Sequence, residues 1–465
     1  MEKRESPKIT KTTKLILMVC LFIVLPAIFS GPTGAIGSPK LSKPVNAMAK
    51  NVLQSSPNYP HKKLSMRELE IQQAQNTAQE YMKSLITQQY GMMWLLLHPT
   101  IQVKWPNEKA FASFQHNRFK DYTFRGFMVG NVHELLSWVD PETMIQYSQL
   151  EEFLVSLLLI PKVAHSQDST TPPEDLHPGP LFQNLPIIMQ YSRNQDDKGG
   201  NWFILDGGPA DLEAPILPPM TPTNRIIQVP ILMYHHVTPF VSTDRLSDYI
   251  RTWVVSPDSF SQQMDYLTGH NYHTITFNQL FDALYYGGPL PSRPIILTFD
   301  DGDDDHYQYV YPILLAHHFS GMFYIITGQV GWYGRMNWSQ LHEMLLHGMQ
   351  MGSHTVHHID LSQLLSVSDA AVQQELQQSQ LTLAKNLNIN IQQFCYPYGE
   401  PFNLGNWFQR QKIMAMLARD GYVGATTSFG MTGSLQGSSY PFALLRIPVY
   451  GSEWFQSFVA SLPWT

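Results

Sequence analysis

The stretch PIILTFDDGDDDH, residues 294–306, joins an apolar run to a dense group of acidic residues. Its first half is typical of a buried strand. Asp300 and Asp301 follow at once, and five carboxylates occur between positions 300 and 305. Adjacent carboxylates repel one another and are costly to bury unpaired, so a cation or a bound proton usually accompanies them. The stretch therefore predicts a cation site at the end of a strand, and a solvated acidic loop is the alternative.

Strand-like and helix-like segments alternate on both sides of this stretch. The strand candidates are residues 229–237, 272–277, 294–299, 321–327, 348–354, 392–399 and 421–428. Helical stretches separate them, for example residues 257–268 and 369–386. About seven such units, with no Gly-rich phosphate loop after the first strand, favour a parallel (β/α) barrel over an open sheet. The chemistry of such a barrel is expected at the C-terminal ends of its strands.

The residues before the barrel have a different pattern. A helical period runs from Met66 to about Gln89, and strand-like segments follow at 122–130, 144–159, 186–192 and 201–208. This order predicts an α+β domain. The predicted fold class is therefore α/β, with a distorted barrel preceded by a smaller α+β domain. The predicted boundaries are a disordered spacer at 37–65, the α+β domain at 66–208, a Pro/Gly-rich linker at 209–228 and the barrel at 229–465.

The N-terminus has the layout of an export signal. Five lysine and arginine residues precede the apolar run from Leu15 to Phe29, and the small-residue stretch SGPTGAIGS follows. Residues 1–36 are predicted to be a signal peptide or a retained membrane anchor, and cleavage after Ala35 distinguishes the two. Both readings predict an extracellular or cell-surface protein whose contact with a membrane is limited to this segment.

The composition excludes several other classes of protein. The length of 465 residues suggests two or three domains. A net charge of −7 gives no basic footprint, so nucleic acid is not an expected partner. Cys20 and Cys395 are the only cysteines, which excludes a disulfide framework.

A second polar cluster lies in GSHTVHHID, residues 352–360. His354 and His358 are four positions apart and Asp360 follows. Two imidazoles at this spacing and a carboxylate can hold one ion and leave positions open for water and substrate. Such a histidine pair alone is more often structural. Together with two aspartates at a strand end, it favours a divalent metal site.

These motifs resemble those of a known family. TFDDG at 298–302 and SHTVHH at 353–358 are similar to the first two motifs of the polysaccharide deacetylases, carbohydrate esterase family four. The resemblance covers roughly residues 229–450, with FCYPYG at 394–399 as the third motif and LLRIPVY at 444–450 as the closing segment. The motifs follow the family's order and spacing. A weaker resemblance links residues 66–208 to the cone fold of nuclear transport factor-like domains.

The resemblance implies a function and a set of roles. The chain would be an exported, metal-dependent enzyme that removes N-acetyl groups from a polysaccharide and releases acetate. Asp301, His354 and His358 would hold a divalent ion, most often zinc in this family. Asp300 would be the general base, and the backbone N–H of Tyr398 would stabilise the oxyanion.

Two departures from the family pattern affect the catalytic assignment. Cys395 stands where many members have arginine, and the closing segment lacks the histidine that supplies the general acid. Arg446 is the candidate to orient Asp300 in place of that arginine. His235 and His236, at the end of the first barrel strand, are the candidate acids. A catalytically impaired glycan-binding protein is the alternative function.

Two further features have a structural and a functional interpretation. The residues after the first motif, from Asp303 to His306, are expected to form a solvated loop. The aromatic residues Trp332, Tyr333 and Trp338 either form a platform for sugar rings or pack into the core.

Overall fold

The computed structural model describes residues 65–140, 145–162, 181–193, 200–219, 223–239, 252–428, 433–451 and 455–464. The predicted signal segment and nearly all of the predicted spacer lie outside these ranges. Within the described ranges, no helix is both long enough and apolar enough to cross a membrane. The described residues from position 65 onward form one compact unit.

Helices form the first layer of this unit. They are α1 (Met66–Ile86), α2 (Tyr90–Leu96), α3 (Pro99–Gln102) and α4 (Glu108–Phe119). A capping box starts α1, because the Ser65 side chain accepts a hydrogen bond from the Glu68 amide while the Glu68 carboxylate accepts one from the Ser65 amide. The first helix thus begins where the apolar period begins.

Four strands form the second layer. They are β1 (Tyr122–Val139), β2 (Gln146–Pro161), β3 (Leu181–Arg193) and β4 (Gly200–Gly207), and they pair antiparallel in chain order. Buried side chains of β2, such as Phe153 and Val155, join the same hydrophobic core as Ala74 and Met82 of α1. The predicted α+β arrangement is confirmed, and the relation to the nuclear transport factor-like cone stays a prediction.

Twelve further strands follow within the described ranges, several of them short. They are β5 (Ile226–Gln228), β6 (Ile231–Tyr234), β7 (His236–Val237), β8 (Val254–Val255), β9 (His273–Thr274), β10 (Pro294–Phe299), β11 (Met322–Ile325), β12 (Gln350–Ser353), β13 (Gln393–Cys395), β14 (Gly424–Thr426), β15 (Leu435–Gly437) and β16 (Ile447–Pro448). The main sheet has the order β14-β13-β12-β11-β10-β6-β16, and its strands are parallel. All six residues of β10 are buried, as expected of a strand covered on both faces.

The segment that ends in β16 closes the sheet. The Leu444 amide donates to the Ala425 carbonyl of β14, and the Val449 amide donates to the Met233 carbonyl of β6. One short segment therefore bridges the two edges. The predicted distorted (β/α) barrel is confirmed, and the first and last strands are neighbours.

Eight helices surround this barrel in the described part of the chain. They are α5 (Pro257–Gly269), α6 (Phe277–Tyr286), α7 (Tyr311–Ala316), α8 (Trp338–Leu346), α9 (Leu361–Val367), α10 (Asp369–Leu387), α11 (Trp407–Arg419) and α12 (Phe455–Ser461). Most connect one barrel strand to the next, which is the arrangement that carries side chains to a common mouth.

The predicted linker is packed rather than free. Its apolar residues Ala210, Leu212, Ala214, Ile216 and Leu217 are all buried. Arg118 of α4 is buried as well, and it donates to the carbonyls of Asp211, Ala214 and Pro215. The same guanidinium lies 3.5 Å from the Asp282 carboxylate of α6. The α+β domain and the barrel are therefore joined through a shared core and one buried ion pair.

Replacing Asp282 by alanine should destabilise the whole unit, because Arg118 would keep a buried charge without its carboxylate. Breaking a buried pair from one side costs about 3 kcal/mol. Urea unfolding monitored by circular dichroism measures the change. Asp265→Ala is the matched control, since that carboxylate is 72% exposed beside His317 and should change the free energy of unfolding by less than about 1 kcal/mol. Equal effects of both substitutions would contradict the role of the pair.

Candidate active site

A cavity of about 170 Å³ lies at the C-terminal ends of the barrel strands. The structure brings nearly all of the predicted site residues to its wall. The lining residues are His235, His236, Trp253, Asp300, Asp301, His354, His358, Tyr396, Tyr398 and Ser428. Trp253 and Ser428 were not predicted from the sequence, because they lie in none of the motifs described above.

Asp300 and Arg446 form a bidentate ion pair behind this wall. The Arg446 nitrogens Nη1 and Nη2 lie 2.7 and 2.8 Å from the two carboxylate oxygens of Asp300. Arg446 also donates from Nε to the Thr427 carbonyl, and its Nη2 lies 3.2 Å from the Cys395 sulfur. Both members of the pair are at least 98% buried. The small side chain of Cys395 thus lies directly beside the Arg446 guanidinium, in contact with it.

The ion pair fixes the charge of Asp300. Burial alone would raise the pKa of this carboxyl, but the adjacent Arg446 guanidinium outweighs burial and lowers the pKa to about 2. Asp300 is therefore an ionised hydrogen-bond acceptor at neutral pH. Its position is fixed because both of its oxygens are engaged.

Asp301 faces two histidines instead. Its Oδ1 lies 3.4 Å from Nε2 of His354 and 3.4 Å from Nε2 of His358. The His354 Nδ1–H donates to the Cys395 carbonyl at 2.8 Å, which leaves Nε2 directed at Asp301. The three ligand atoms lie within 4.8 Å of one another, and Asp301 Oδ1 makes no hydrogen bond within the described residues. A buried carboxylate oxygen without a hydrogen bond, beside two imidazoles, fits a divalent cation.

A second group could also hold an ion by distance alone. Asp300, His354 and Cys395 have ligand atoms within 4.8 Å of one another. However, the Arg446 guanidinium contacts both oxygens of Asp300 and the sulfur of Cys395. A cation there would lie against a fixed positive charge, so the group at Asp301 is the better metal site.

The loop that carries the histidines is held by one acidic residue. Glu375 of α10 accepts hydrogen bonds from the amides of Val356 and His357 at 2.9 and 3.0 Å. His358 itself has a left-handed φ of 54°, which non-glycine residues rarely adopt. Asp360 does not join the site. Its carboxylate caps α9 by accepting from the amides of residues 362 and 363.

The two candidate acids point in different directions. His235 Nε2 lies 4.0 Å from Asp300 Oδ2, and its ring centroid is 4.5 Å from that of Trp253. Burial lowers the pKa of His235. His236 Nδ1 lies 3.0 Å from Asp305 Oδ2 instead. Although burial alone would lower the pKa of His236, the Asp305 carboxylate raises it to about 9. His235 is thus the histidine that faces Asp300.

The prediction of a solvated loop after the first motif is wrong. Asp303, Asp305 and His306 are 6%, 7% and 0% exposed. Arg335, 2.7 Å from Asp303, and His236 supply positive charge to these carboxylates. Both cations come from distant parts of the sequence, so the local pattern of like charges gave no sign of them.

Tyr398 lies in a tight turn after β13 with a left-handed φ of 57°. Its ring centroid is 4.6 Å from that of His358, and its side chain borders the cavity. Of the three aromatic residues considered as a sugar platform, Trp332 is 64% exposed and Tyr333 is fully exposed, whereas Trp338 packs against the core. The two interpretations of these rings therefore apply to different residues.

Comparison with known proteins agrees with the site. Residues 287–416 match the polysaccharide deacetylase family model. Over these residues the barrel is therefore similar to the polysaccharide deacetylases, a family of hydrolases that act on carbon–nitrogen bonds. The matched region includes the Asp300–Asp301 turn, the histidine loop and the turn at Tyr398.

Individual relatives share less than a third of their aligned residues with this chain. A Staphylococcus aureus poly-β-1,6-N-acetyl-D-glucosamine N-deacetylase is 30% identical over 166 residues, which are 33% of this chain and 56% of that protein. This chain thus spans about half the length of that relative. Bacillus subtilis YxkH is 28% identical over 233 residues, 49% of this chain and 73% of its own. The Streptococcus pyogenes deacetylase PplD, solved with acetate, is 26% identical with a TM-score of 0.45, covering 52% of this chain and 99% of its own.

The Asp300–Arg446 pair predicts a pH dependence of stability. The folded pKa of about 2 lies below the ordinary value of about 3.9 for aspartate. The stabilisation is therefore present above the unfolded pKa and is lost as the pH falls toward the folded pKa. Between pH 5 and pH 3 the wild-type protein should lose about 1 kcal/mol that Asp300→Asn does not lose.

Urea unfolding at each pH provides the comparison. Asp265→Asn is the control, because its exposed carboxylate should leave the wild-type pH slope unchanged. If the wild-type protein and Asp300→Asn had the same slope, the depressed pKa of Asp300 would be refuted.

Proposed function

We propose that this chain is an exported, metal-dependent N-deacetylase of a cell-surface or extracellular glycan. The observation that carries the proposal is the division of two adjacent carboxylates between different partners in one cavity. Asp300 is fixed and ionised by Arg446, while Asp301 faces His354 and His358. A hydrolase that cleaves an amide needs both a base and an electrophilic centre, and this arrangement provides a place for each.

Asp301, His354 and His358 would hold the divalent ion, for which zinc is the proposed identity because two imidazoles and a carboxylate suit it. When bound, such an ion polarises a carbonyl and lowers the pKa of water. The His354 ring is held in the required orientation by the Cys395 carbonyl. Glu375 holds the loop on which His358 lies.

The chain's own residues account for the proton transfers and for the developing charge. Asp300 accepts a proton from the attacking water, because Arg446 keeps its carboxylate ionised. The Tyr398 amide is the proposed donor to the acetyl oxygen as negative charge develops there.

The leaving amine requires a proton, and His235 is the proposed donor. Its Nε2 is 4.0 Å from Asp300 Oδ2 in the same cavity. Because burial lowers its pKa, the ring is neutral at neutral pH. It takes up the proton that Asp300 accepted from water and passes it to the amine, which returns Asp300 to its ionised form. The products are acetate and a glycan with a free amine.

The alternative of an impaired, glycan-binding barrel rested on the missing arginine and histidine of the family motifs. In this fold Arg446 contacts Asp300 from the closing segment, and His235 reaches the cavity from the neighbouring first strand. Each missing group thus has a replacement of the same chemical type at the site. These contacts favour the catalytic proposal.

The proposed substrate is a poly-N-acetylglucosamine, because the named activity of the Staphylococcus aureus relative is deacetylation of the β-1,6-linked polymer. Acetate release from this polymer, from peptidoglycan and from chitin fragments tests the assignment. The β-1,6-linked polymer should be the best substrate. If peptidoglycan or chitin fragments released more acetate than the β-1,6-linked polymer, that material would be assigned as the substrate instead.

Metal removal should abolish acetate release, and zinc should restore it. His354→Ala and His358→Ala should each lose the bound ion, measured as metal content after dialysis. His273→Ala is the control, because this exposed histidine of β9 donates from Nδ1 to the Ser292 carbonyl, near the N-terminal end of β10 and away from the cavity. Undiminished acetate release after complete metal removal would refute the metal-dependent mechanism.

His235→Gln should lower turnover by about 100- to 10,000-fold while leaving bound metal unchanged. Glutamine keeps the polarity of the side chain but cannot transfer a proton at neutral pH. Steady-state acetate release and metal content are the two measurements. His270→Gln, at an exposed histidine outside the cavity, should match the wild type. Near-normal turnover by His235→Gln would assign the protonation step to another group.

A further inference from the structure

The segment of residues 331–336, here called the arm, follows β11 and lies against the Asp300–Asp301 turn. The Met336 amide donates to the Gly302 carbonyl at 3.0 Å, and the Asp304 amide donates to the Gly334 carbonyl at 3.1 Å. A further bond inside the arm, from the Gly331 amide to the Met336 carbonyl, closes it into a compact loop. The backbone of the arm is therefore joined directly to the residues that follow Asp301.

Arg335 adds the side-chain contact between the arm and the turn. Its Nη1 donates to the carbonyl oxygen of Asp301 at 3.1 Å and lies 2.7 Å from Asp303 Oδ1. Asp303 is 6% exposed and the Arg335 side chain is 23% exposed, so this ion pair is partly shielded from water. One nitrogen thus holds both the backbone of Asp301 and a buried carboxylate two residues later.

The conformation of Asp301 explains why such a contact matters. Its φ is 77°, in the left-handed region, and Gly302 follows at 76°. Glycine adopts this region freely, whereas aspartate keeps it only where the surroundings enforce it. The carbonyl that Arg335 holds belongs to the strained residue. If the turn relaxed, the carboxylate of Asp301 would move away from the two histidines.

The other side of the acidic stretch has its own support. Asp303 Oδ2 lies 3.4 Å from His236 Nδ1, which is also 3.0 Å from Asp305 Oδ2. His306 donates from Nε2 to the His235 carbonyl. These contacts fix residues 303–306 to the end of β6. Arg335 is the side chain that fixes the opposite side of the turn to the arm.

We propose that Arg335 is a positioning residue that holds Asp301 in the conformation in which its carboxylate faces His354 and His358. Arg335 sets the metal affinity of the site through the Asp301 backbone and does not contact the ion. The inference rests on the proposed function, in which those three residues are the metal ligands.

Titration of the metal-free full chain with Zn²⁺, followed by calorimetry, tests this role. Arg335→Met should weaken Zn²⁺ binding by about 10- to 100-fold, as is typical when a residue that orients a metal ligand is removed. Arg335→Lys should restore most of the affinity, because a single nitrogen makes both contacts. Thermal unfolding of the metal-free variants shows whether they fold. If Arg335→Met does not fold, Arg335→Gln carries the same comparison.

Arg293→Met is the matched control. Arg293 also donates to a backbone carbonyl, that of His270 at 2.9 Å, but it lies at the N-terminal end of β10, away from the cavity. The Zn²⁺ affinity of Arg293→Met should equal that of the wild type.

Wild-type affinity in folded Arg335→Met would overturn the inference while leaving the proposed function intact. The inference would also be overturned if Arg335→Lys bound Zn²⁺ as weakly as Arg335→Met does. A general loss of loop structure would then explain both variants. A wild-type chain that binds no Zn²⁺ and releases no acetate would overturn the proposed function and the inference together.

Discussion

The buried ion pair between Asp300 and Arg446 is the contact on which the site depends. It satisfies both oxygens of one carboxylate and leaves the neighbouring carboxylate of Asp301 to face the histidines. Without the guanidinium, burial would favour a protonated Asp300, which could not act as a base. The same arginine also contacts Thr298 of β10 and Thr427 beside β14. One side chain thus links residues of two strand ends and sets the charge of the proposed base.

Around this pair, each functional group is held by a residue from another element. The Cys395 carbonyl orients His354, Glu375 holds the loop of His358, and Arg335 contacts the backbone of Asp301. Such outer contacts fix geometry that the ligands alone cannot fix. The α+β domain is part of the same compact unit, because its core continues into the barrel and Arg118 is buried between the two.

The parts of the structure that were predictable follow from local patterns. Apolar runs that end in polar residues predicted the barrel strands, and the resemblance of TFDDG, SHTVHH and FCYPYG to the motifs of one family implied that these strand ends share a site. The parts that were not predictable depend on contacts between residues distant in sequence. Glu375 has no motif, Arg335 neutralises a carboxylate some thirty positions away, and the acidic stretch after Gly302 looks solvated until its cations are placed. The Pro/Gly-rich linker likewise gives no sequence signal that it is buried.

In the proposed mechanism Arg446 reserves Asp300 for proton transfer and leaves Asp301 as the metal ligand. Anomalous X-ray diffraction at the zinc edge from crystals soaked in Zn²⁺ tests it directly. We expect one ion about 2.0–2.2 Å from Nε2 of His354, Nε2 of His358 and a carboxylate oxygen of Asp301, with the Asp300–Arg446 pair intact. An ion bound instead by Asp300, His354 and the Cys395 sulfur, with Arg446 displaced, would contradict it.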